Sequence, residues 1–391
     1  MARHSILILV LMAALLTALG ITMLASTSYF SEEGGGEAYA TLWKQGVWVG
    51  ISAAVCLVMA LIDYNRWFRW RWWVLGGAAL GLVLCFEWYL AQALGYSPLL
   101  ARRVNGAARW IGAGPLSFQP SEFAKIALIV VLAGWFATHQ GLERTAKHGL
   151  LLPGLLLGVI VLLIGAEVDL GNAFVAATVG AGVMFAAGTR LRYFAALGLL
   201  GGGGLMAGIL LAPNRLERVL AFLNLEKYKD GIGLQQWVSW LAFGSGGMYG
   251  RGLGEGRMKL SYLPEAHTDF IFPMVGEELG LVGTLSTVAA FVFLIFSGMC
   301  VSAYAPNRFG KLLGFGLTFL IGLEGLMNMG VTTALLPNKG LPLPFVSYGG
   351  SSMVAAMAAL GILINIHRQG VHLTWNDLPV IRRNRRWTPQ L

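Results

Sequence analysis

The chain has 391 residues, of which 56% are hydrophobic and only 12% are charged. With a mean hydropathy of +0.67, it carries more apolar surface than one soluble core can bury, which excludes an ordinary soluble domain and predicts an integral membrane protein. The net charge of +9 would suggest nucleic acid binding in a soluble protein. Here the excess lies in loops and the tail, so we expect it to set topology and to contact anionic membrane lipids, with no nucleic acid partner.

Ten segments are apolar enough to cross a bilayer, which takes about 20 helical residues. They lie near residues 5–28, 42–62, 74–94, 119–138, 149–166, 170–187, 193–212, 270–299, 309–329 and 352–366. The predicted fold is therefore all-α, a polytopic membrane protein with about ten transmembrane helices. The first segment is too long for a secretory signal and lacks a clear small-residue cleavage site, so we expect an uncleaved anchor.

The loops predict the orientation, because Lys and Arg mark the cytoplasmic side of a membrane protein. Basic residues occupy alternate loops and the tail: Arg66, Arg69, Arg71, Arg144, Lys147, Arg190, Arg192, Arg308, Lys311, Arg368, Arg382, Arg383, Arg385 and Arg386. Both termini are predicted to be cytoplasmic. A single membrane domain would span residues 1–370, with one large extracytoplasmic loop at about 213–269 and a basic cytoplasmic tail at 371–391.

The first polar cluster, "NGAARWIGAGPLSFQPSEFAK", lies in the outer loop at 96–118 and in the helix that follows. The loop carries Arg109 against the charge rule, so its basic residues either have a function or are a tolerated local bias. Pro120 fits the first turn of the next helix. Glu122 and Lys125 share one helix face through their i,i+3 spacing, and such a pair within a bilayer favours a function over a purely structural salt bridge.

Acidic side chains also accompany the apolar segments. These are Glu167 and Asp169 at a short outer turn, Glu277 and Glu278 in or near the eighth segment, and Glu324 in the ninth. An intramembrane acid is a functional hypothesis by default. For Glu324 alone, protonation or a hydrogen bond explains its presence equally well.

The outer loop at about 213–269 is long enough to be either functional or disordered. Its aromatic residues, including Trp237, Trp240 and Tyr249, argue for an amphipathic segment at the outer interface, followed by the Gly-rich turn region "AFGSGGMYGRGLGEG". The loop ends in "SYLPEAHTDFIF", where Glu265 is expected to be solvated or structural and His267 to cap and orient the loop.

A third polar cluster, "LLPNKGLPLPFVSYGGSSM", separates the last two apolar segments on the same outer side. Its prolines and glycines predict a re-entrant or irregular segment. Non-helical backbone at membrane depth persists only where protein or a wet cavity covers it, so we expect a cavity here.

Several reaction types have no matching motif. Walker, GxGxxG, HExxH, GxSxG and DxD patterns are absent, and Cys56, Cys85 and Cys300 lie in or beside apolar segments without disulfide or metal spacing. An outer site cannot draw on nucleotide sugars, which leaves donors carried by the membrane, such as a polyprenyl-pyrophosphate-linked sugar.

An inverting sugar transfer with a pyrophosphate leaving group needs one base and stabilising cations. We expect Asp269 to be the base, in a partly desolvated site that raises its low basicity. Arg109, Lys125 and Lys339 are the candidate cations.

In three long motifs the chain resembles the SEDS family (shape, elongation, division and sporulation), which includes RodA, FtsW and SpoVE. The motifs are "QPSEFAK", "FGSGGMYGRGLGEGRMKLSYLPEAHTDFIF" and "LPNKGLPLPFVSYGGSSM", in the family's order over nearly the whole chain. The resemblance implies a peptidoglycan glycosyltransferase of the bacterial cytoplasmic membrane that polymerises lipid II into β-1,4-linked glycan and releases undecaprenyl pyrophosphate. The family's essential loop aspartate falls on Asp269.

The resemblance also implies further site residues and partners. Substrate contacts are expected from Arg109, Glu122, Lys125, Gln235, Ser239, His267, Thr268, Lys339, Ser347, Tyr348 and Ser351. Family members act with a class B penicillin-binding protein, a transpeptidase, and with divisome proteins on lipid II and the nascent glycan strand. The sequence itself shows no convincing metal-ligand spacing, so no cofactor is assigned from it. A divalent cation, Mg²⁺ or Mn²⁺, that helped the pyrophosphate leave would take much of its coordination shell from the substrate phosphates.

The form "LPEAHTD" is similar to the division branch of the family, since RodA-type members more often have Arg at the position of Ala266. We therefore expect a role at the division septum. The sequence departs from the family pattern at Val168, Asn172, Val238, Asn338 and Glu324. The alternatives are an elongation polymerase of the RodA type, a lipid II flippase, which ten helices with intramembrane charges would also suit, and a scaffold that only recruits the transpeptidase.

Overall fold

The computed structural model describes residues 2–30, 36–96, 98, 101–104, 107–112, 117–210, 213–259, 263 and 267–376. The elements are α1 (Ala2–Phe30), α2 (Gly36–Leu61), α3 (Tyr64–Cys85), α4 (Glu87–Leu94), β1 (Ala101–Val104), β2 (Ala107–Ile111), α5 (Pro120–Thr138), a π-helical turn (Lys147–Leu151), α6 (Leu152–Ala166), α7 (Leu170–Ala186), α8 (Leu191–Leu210), α9 (Pro213–Leu223), α10 (Leu234–Gly246), α11 (Ile271–Ala303), α12 (Arg308–Thr332) and α13 (Gly350–Asn376). The predictions for Glu265, for Ala266 and for the tail beyond residue 376 lie outside the described residues.

Within the described residues, eight helices are long and apolar enough to cross a membrane. They match eight of the ten predicted segments, and the polytopic helical fold is confirmed. The other two predicted segments, 170–187 and 193–212, correspond to α7, a shorter apolar helix of 17 residues, and to α8, with 20 residues. The total of ten spans and the cytoplasmic placement of both termini stay predictions.

The third membrane helix begins at Tyr64, ten residues before the predicted start at residue 74. Asp63 caps it, since its side chain accepts a hydrogen bond of 2.8 Å from the backbone N–H of Asn65. The first turns carry Arg and Trp, which lower the local hydropathy. Such residues suit the membrane interface, where their apolar bodies pack and their polar ends reach water.

Helix α5 is the centre of the bundle. Every side chain from Ala124 to Ala133 is buried, and the helix packs against α3, α7 and α12. Around it α1 packs on α11, and α2 packs on α13. Polar residues on α5, α7 and α12 therefore face one shared interior.

The loop at 96–118 departs from a purely helical fold. Strands β1 and β2 form an antiparallel hairpin in which Ala101 pairs with Ile111, with an irregularity between Arg102 and Arg103. Arg103 lies over the ring of Trp88, with 5.0 Å between its guanidinium carbon and the ring centre. Strands of four and five residues with a bulge carry no usable alternation of apolar and polar residues, so they could not be predicted from the sequence pattern.

The Gly-rich part of the outer loop lies on a break in α11. Gly280 has a φ of 68° inside that helix, which frees backbone carbonyls from helical hydrogen bonds. Glu277 O accepts from Arg251 N at 3.0 Å, and Glu278 O accepts from Gly252 N at 3.1 Å. The glycines also allow the two backbones to approach closely, because a Cβ at Gly250 would overlap the carbonyl of Glu278.

Candidate functional site

The segment between α12 and α13, residues 333–349, is irregular, as predicted. Its apolar side chains Leu341, Leu343, Phe345 and Val346 are all about 1% exposed. Phe345 has a φ of 66°, a conformation that bulky residues rarely adopt unless their surroundings enforce it. Protein therefore covers this non-helical backbone, which is the condition for its survival at membrane depth.

The end of the outer loop is hydrogen-bonded to this irregular segment. The hydroxyl of Ser347 donates to Thr268 O at 2.5 Å, and Tyr348 N donates to His267 O at 3.0 Å. The rings of His267 and Tyr348 meet edge to face with centres 5.8 Å apart. Burial raises the pKa of the Tyr348 phenol, so this group stays a neutral donor near pH 7.

Asp269 lies at the junction of the two segments and is partly exposed. Its backbone carbonyl accepts a hydrogen bond of 2.7 Å from Asn328 Nδ2, and the same nitrogen donates to Leu341 O at 2.7 Å. The carboxylate lies against Gly340, where an added Cβ would overlap Oδ2. The backbone at Asp269 is thus held by its neighbours, and its side chain occupies space that only a glycine leaves open.

Two amides of α10 attach that helix to the same segment. Asn338 Nδ2 donates to Gln235 Oε1 at 2.8 Å, and Gln236 Nε2 donates to the carbonyls of Val331 and Leu336, each at 2.8 Å. Lys339, next to Asn338 and Gly340, is partly exposed. It directly precedes Gly340, the residue that lies against the Asp269 carboxylate.

A buried charge cluster surrounds Lys125 in the interior of the bundle. Its ammonium group donates to Glu122 Oε1 at 2.9 Å, to Asn172 Oδ1 at 2.7 Å and to Glu324 Oε1. The side chains of Lys125 and Glu122 are 1% and 3% exposed. All three ammonium protons therefore have an acceptor, and Glu324 has the hydrogen-bonded role that the sequence left open.

A second buried acid, Asp169, adjoins this cluster. It accepts hydrogen bonds from Asn172 Nδ2 at 2.9 Å and from Gln119 Nε2 at 3.1 Å, and Arg109 NH1 lies 3.6 Å from its Oδ2. Gln119 N in turn donates to Ser351 Oγ at 3.0 Å, at the start of α13. Two of the expected substrate ligands, Arg109 and Ser351, thus belong to one network around Asp169.

The turn before Asp169 contains a buried acid and a strained residue. Glu167 is fully buried, and its oxygens accept no hydrogen bond from N–H or O–H groups among the described residues. Burial, helped by the nearby negative charge of Asp169, raises the pKa of Glu167 to about 8 against the opposing effects of the Cys85 thiol and the Arg109 charge. Val168 has a φ of 67°, which is costly for a β-branched residue.

The expected substrate ligands form two groups in the structure: residues that are at least partly exposed, and buried residues that already have protein hydrogen-bond partners. His267 is exposed, and Thr268, Lys339 and Tyr348 are partly exposed, as is Asp269 itself. The remaining buried ones are saturated by protein groups: Glu122, Lys125, Ser347, Ser351 and Ser239, whose hydroxyl donates to Gln235 O within α10. Direct substrate contact stays a prediction for all of them, and burial favours a supporting role for this second set.

Sequence reasoning missed Asn328, Gln119 and Gly340. Asn328 follows Glu324 by four residues and so shares its helix face, a signal that could have found it once Glu324 was singled out. Gln119 and Gly340 stand within quoted motifs, but their roles depend on contacts with residues distant in the chain.

The arrangement suits proton abstraction beside a stabilised anion. A partly buried carboxylate lies against Gly340 at the end of the bundle that is predicted to face outward, and buried networks hold the supporting helices. No group of three or more His, Cys, Asp or Glu side chains that could hold a metal ion occurs among the described residues.

Comparison with known proteins agrees with the motifs. A family model described as "Cell cycle protein", which groups FtsW, RodA and SpoVE, matches residues 6–372. The chain is 40% identical over 361 residues to a probable peptidoglycan glycosyltransferase FtsW of Geobacter sulfurreducens, covering 92% of this chain and 94% of the relative.

Two solved structures share the fold. A chain from a peptidoglycan synthase complex that coordinates polymerisation and crosslinking is 28% identical, with a TM-score of 0.74 over 93% of this chain and 97% of that chain. The rod shape determining protein RodA of Thermus thermophilus is 26% identical, with a TM-score of 0.65 over 92% of this chain and 96% of that chain.

Proposed function

The chain belongs to the FtsW, RodA and SpoVE family of cell-cycle proteins, and from this premise we propose that it polymerises lipid II at the outer face of the cytoplasmic membrane. It is a peptidoglycan glycosyltransferase and a multi-pass membrane protein. The similarity to FtsW proteins over most of the chain supports a role in septal wall synthesis at the division site, in preference to RodA-type elongation.

In the proposed reaction, the carboxylate of Asp269 takes the proton from the 4-hydroxyl of the GlcNAc of the acceptor lipid II. The resulting oxygen nucleophile attacks the anomeric carbon of the MurNAc at the end of the growing strand. A β-1,4 bond forms as the bond to the pyrophosphate breaks, and undecaprenyl pyrophosphate leaves with the electron pair. Lys339 and Arg109 are the cations proposed to stabilise the leaving group.

The observation that carries this proposal is the position of Asp269. Its carboxylate is partly buried against Gly340, and its backbone is tied to α12 by Asn328. A base must be held in place for the transition state to benefit from it.

The described residues offer no metal cluster, so a divalent cation would be held mainly by the pyrophosphate of the substrate. Mg²⁺ or Mn²⁺ bound in that way would neutralise charge on the leaving group. With or without that ion, Asp269 is proposed to accept the hydroxyl proton, and the residues that hold it set its position relative to the sugar.

We further propose that the chain works beside a class B penicillin-binding protein, with divisome proteins as further partners. One structural relative belongs to a synthase complex in which polymerisation and crosslinking are coordinated, which supports this partner. Crosslinking would be the reaction of the partner, and glycan polymerisation that of this chain.

The test is polymerisation of labelled lipid II by the purified protein in detergent, with and without the transpeptidase. Asp269→Asn should lower the polymerisation rate by 10²- to 10⁴-fold, the usual contribution of a general base, and should still bind the transpeptidase in a pull-down. Asp230→Asn, an exposed acid of the same outer loop, is the matched control and should keep full activity.

The alternative functions, a flippase and a scaffold, predict different results for the same purified protein. A flippase would form no polymer in detergent but would move lipid II across vesicle membranes. A scaffold would make no glycan as wild type, and Asp269→Asn would leave growth intact. Polymer formation by Asp269→Asn at the wild-type rate would show that Asp269 is not the base.

A further inference from the structure

We propose that Asn328 is a positioning residue for the proposed base: its side-chain amide holds the Asp269 backbone on the irregular segment at residues 333–349. This inference rests on the proposed function, since it concerns the same site. The amide group joins two stretches of chain that are otherwise far apart in sequence, 59 residues to Asp269 and 13 residues to Leu341.

Both amide protons of Asn328 are used at 2.7 Å, one on the carbonyl of Asp269 and one on that of Leu341. The side chain is 1% exposed, so water cannot replace either bond. Buried hydrogen bonds of this kind are costly to lose because the freed carbonyls stay out of water. The two carbonyls thus fix the backbone of the base relative to the segment that carries Gly340 and Lys339.

The orientation of the amide follows from its surroundings. Two carbonyl oxygens face the nitrogen, while Oδ1 is buried and accepts no hydrogen bond among the described residues. A rotated amide would place its oxygen against two other oxygens. Asp at this position would do the same and supplies no donor when ionised, so the site requires the carboxamide.

The rotation of α12 is fixed one turn deeper. Glu324 lies four residues before Asn328 and so on the same helix face, and it accepts a hydrogen bond from the buried Lys125. Because Lys125 also binds Glu122 of α5 and Asn172 of α7, three helices share one anchor. That anchor gives Asn328 a fixed position from which to hold the Asp269 segment.

The experiment compares Asn328→Leu, which removes both donors and keeps a side chain branched at Cγ, with Asn365→Leu. Asn365 is also fully buried, and its Nδ2 donates to Ala60 O at 2.8 Å, between α13 and α2. Asn328→Leu should lower kcat for lipid II polymerisation by 10- to 100-fold with KM within twofold of the wild type. Asn365→Leu should lower the melting temperature to a similar extent and leave kcat per folded molecule unchanged.

Asn328→Ser covers the case in which the leucine variant does not fold. The hydroxyl is a shorter donor that can serve one carbonyl, so kcat should fall between those of the wild type and Asn328→Leu. If either folded Asn328 variant matches Asn365→Leu in kcat while Asp269→Asn is inactive, Asn328 is merely structural and the inference is wrong. Full activity of Asp269→Asn would instead overturn the proposed base, and the positioning role with it.

Discussion

A methyl group at Gly340 should impair catalysis with little effect on the fold. The Cβ of Gly340→Ala would overlap Oδ2 of Asp269. The φ of Gly340 lies outside the left-handed region, so the alanine itself causes no backbone strain. The carboxylate is the end of a short, partly exposed side chain, and it can move out of the way by rotation.

The size of the effect follows from the displacement. Clearing the overlap requires the carboxylate to move by about 1 Å, and a misplacement of that size in a reacting group costs on the order of 100-fold in rate. Stability should change by less than about 1 kcal/mol, because Gly340 is exposed and the added methyl group opens no cavity. The loss should appear in kcat rather than in KM.

The assay is the rate of lipid II polymerisation in detergent, together with the melting temperature of the same sample. Gly349→Ala is the matched control in the same irregular segment. Its Cβ would approach Ser352 Cβ only to 3.9 Å, an ordinary van der Waals contact. It should keep wild-type activity. Wild-type kcat in a folded Gly340→Ala protein would refute the reasoning, because the base would then tolerate displacement from its observed position.

Three further predictions concern the buried charges. Lys125→Met leaves two acids without a compensating charge and should destabilise the protein by about 3–5 kcal/mol. Glu324→Gln keeps an acceptor for Lys125 and should preserve activity within twofold. A Lys125→Met protein with the melting temperature of the wild type in detergent would contradict the stabilising role of this cluster. Lys259→Met removes the ammonium group that donates to the buried Glu278 at 2.7 Å, so the melting temperature should fall. Adding Glu278→Gln to this variant should restore part of the lost melting temperature. Between its ordinary pKa of 4.5 and about 8, Glu167 keeps its proton only when folded, so stability should fall as pH rises through that window by up to about 1.4 kcal/mol per unit. Unfolding of Glu167→Gln at pH 5 and pH 8 should lack this difference, and an unchanged pH dependence would show that another group causes it.

Besides Glu324, which accepts a hydrogen bond from Lys125, three of the departures from the family pattern have a local setting in the structure. Asn172 bridges the two buried networks, since its oxygen accepts from Lys125 while its nitrogen donates to Asp169. Asn338 makes the link between the irregular segment and Gln235 of α10. Val238 is a buried apolar residue of α10. For the strained Val168 the structure gives no compensating contact.

The Lys259 contacts explain how a Gly-rich loop stays ordered above a membrane domain. Lys259 Nζ donates to Ser26 Oγ of α1 and to Glu278 of α11, each at 2.7 Å, while Glu277 Oε1 accepts from Arg257 N at 2.8 Å. These bonds lie within a protein interior of low dielectric, where satisfied polar groups are strongly held. They fix the loop about ten residues before Asp269.

Hydropathy and charge, read along the chain, were enough to predict the membrane class and the extent of most helices. The predicted segment at 309–329 corresponds to the observed helix Arg308–Thr332, and the predicted segment at 119–138 corresponds to Pro120–Thr138. Helix formation in apolar surroundings is a local requirement, because every backbone donor must find an acceptor within its own segment. Glu122 and Lys125 were likewise placed correctly on one face, since their spacing alone determines it.

Tertiary packing alone decided which of these residues meet. Asn328 reaches Asp269, Lys125 reaches Glu324 across 199 residues of sequence, and Lys259 reaches Ser26 across 233. Such pairs depend on the rotation and depth of each helix, which many weak packing contacts set together and which no local pattern encodes. The hairpin and the early start of α3 at Tyr64 were missed for the same reason, because neighbouring elements and caps stabilise them rather than hydropathy.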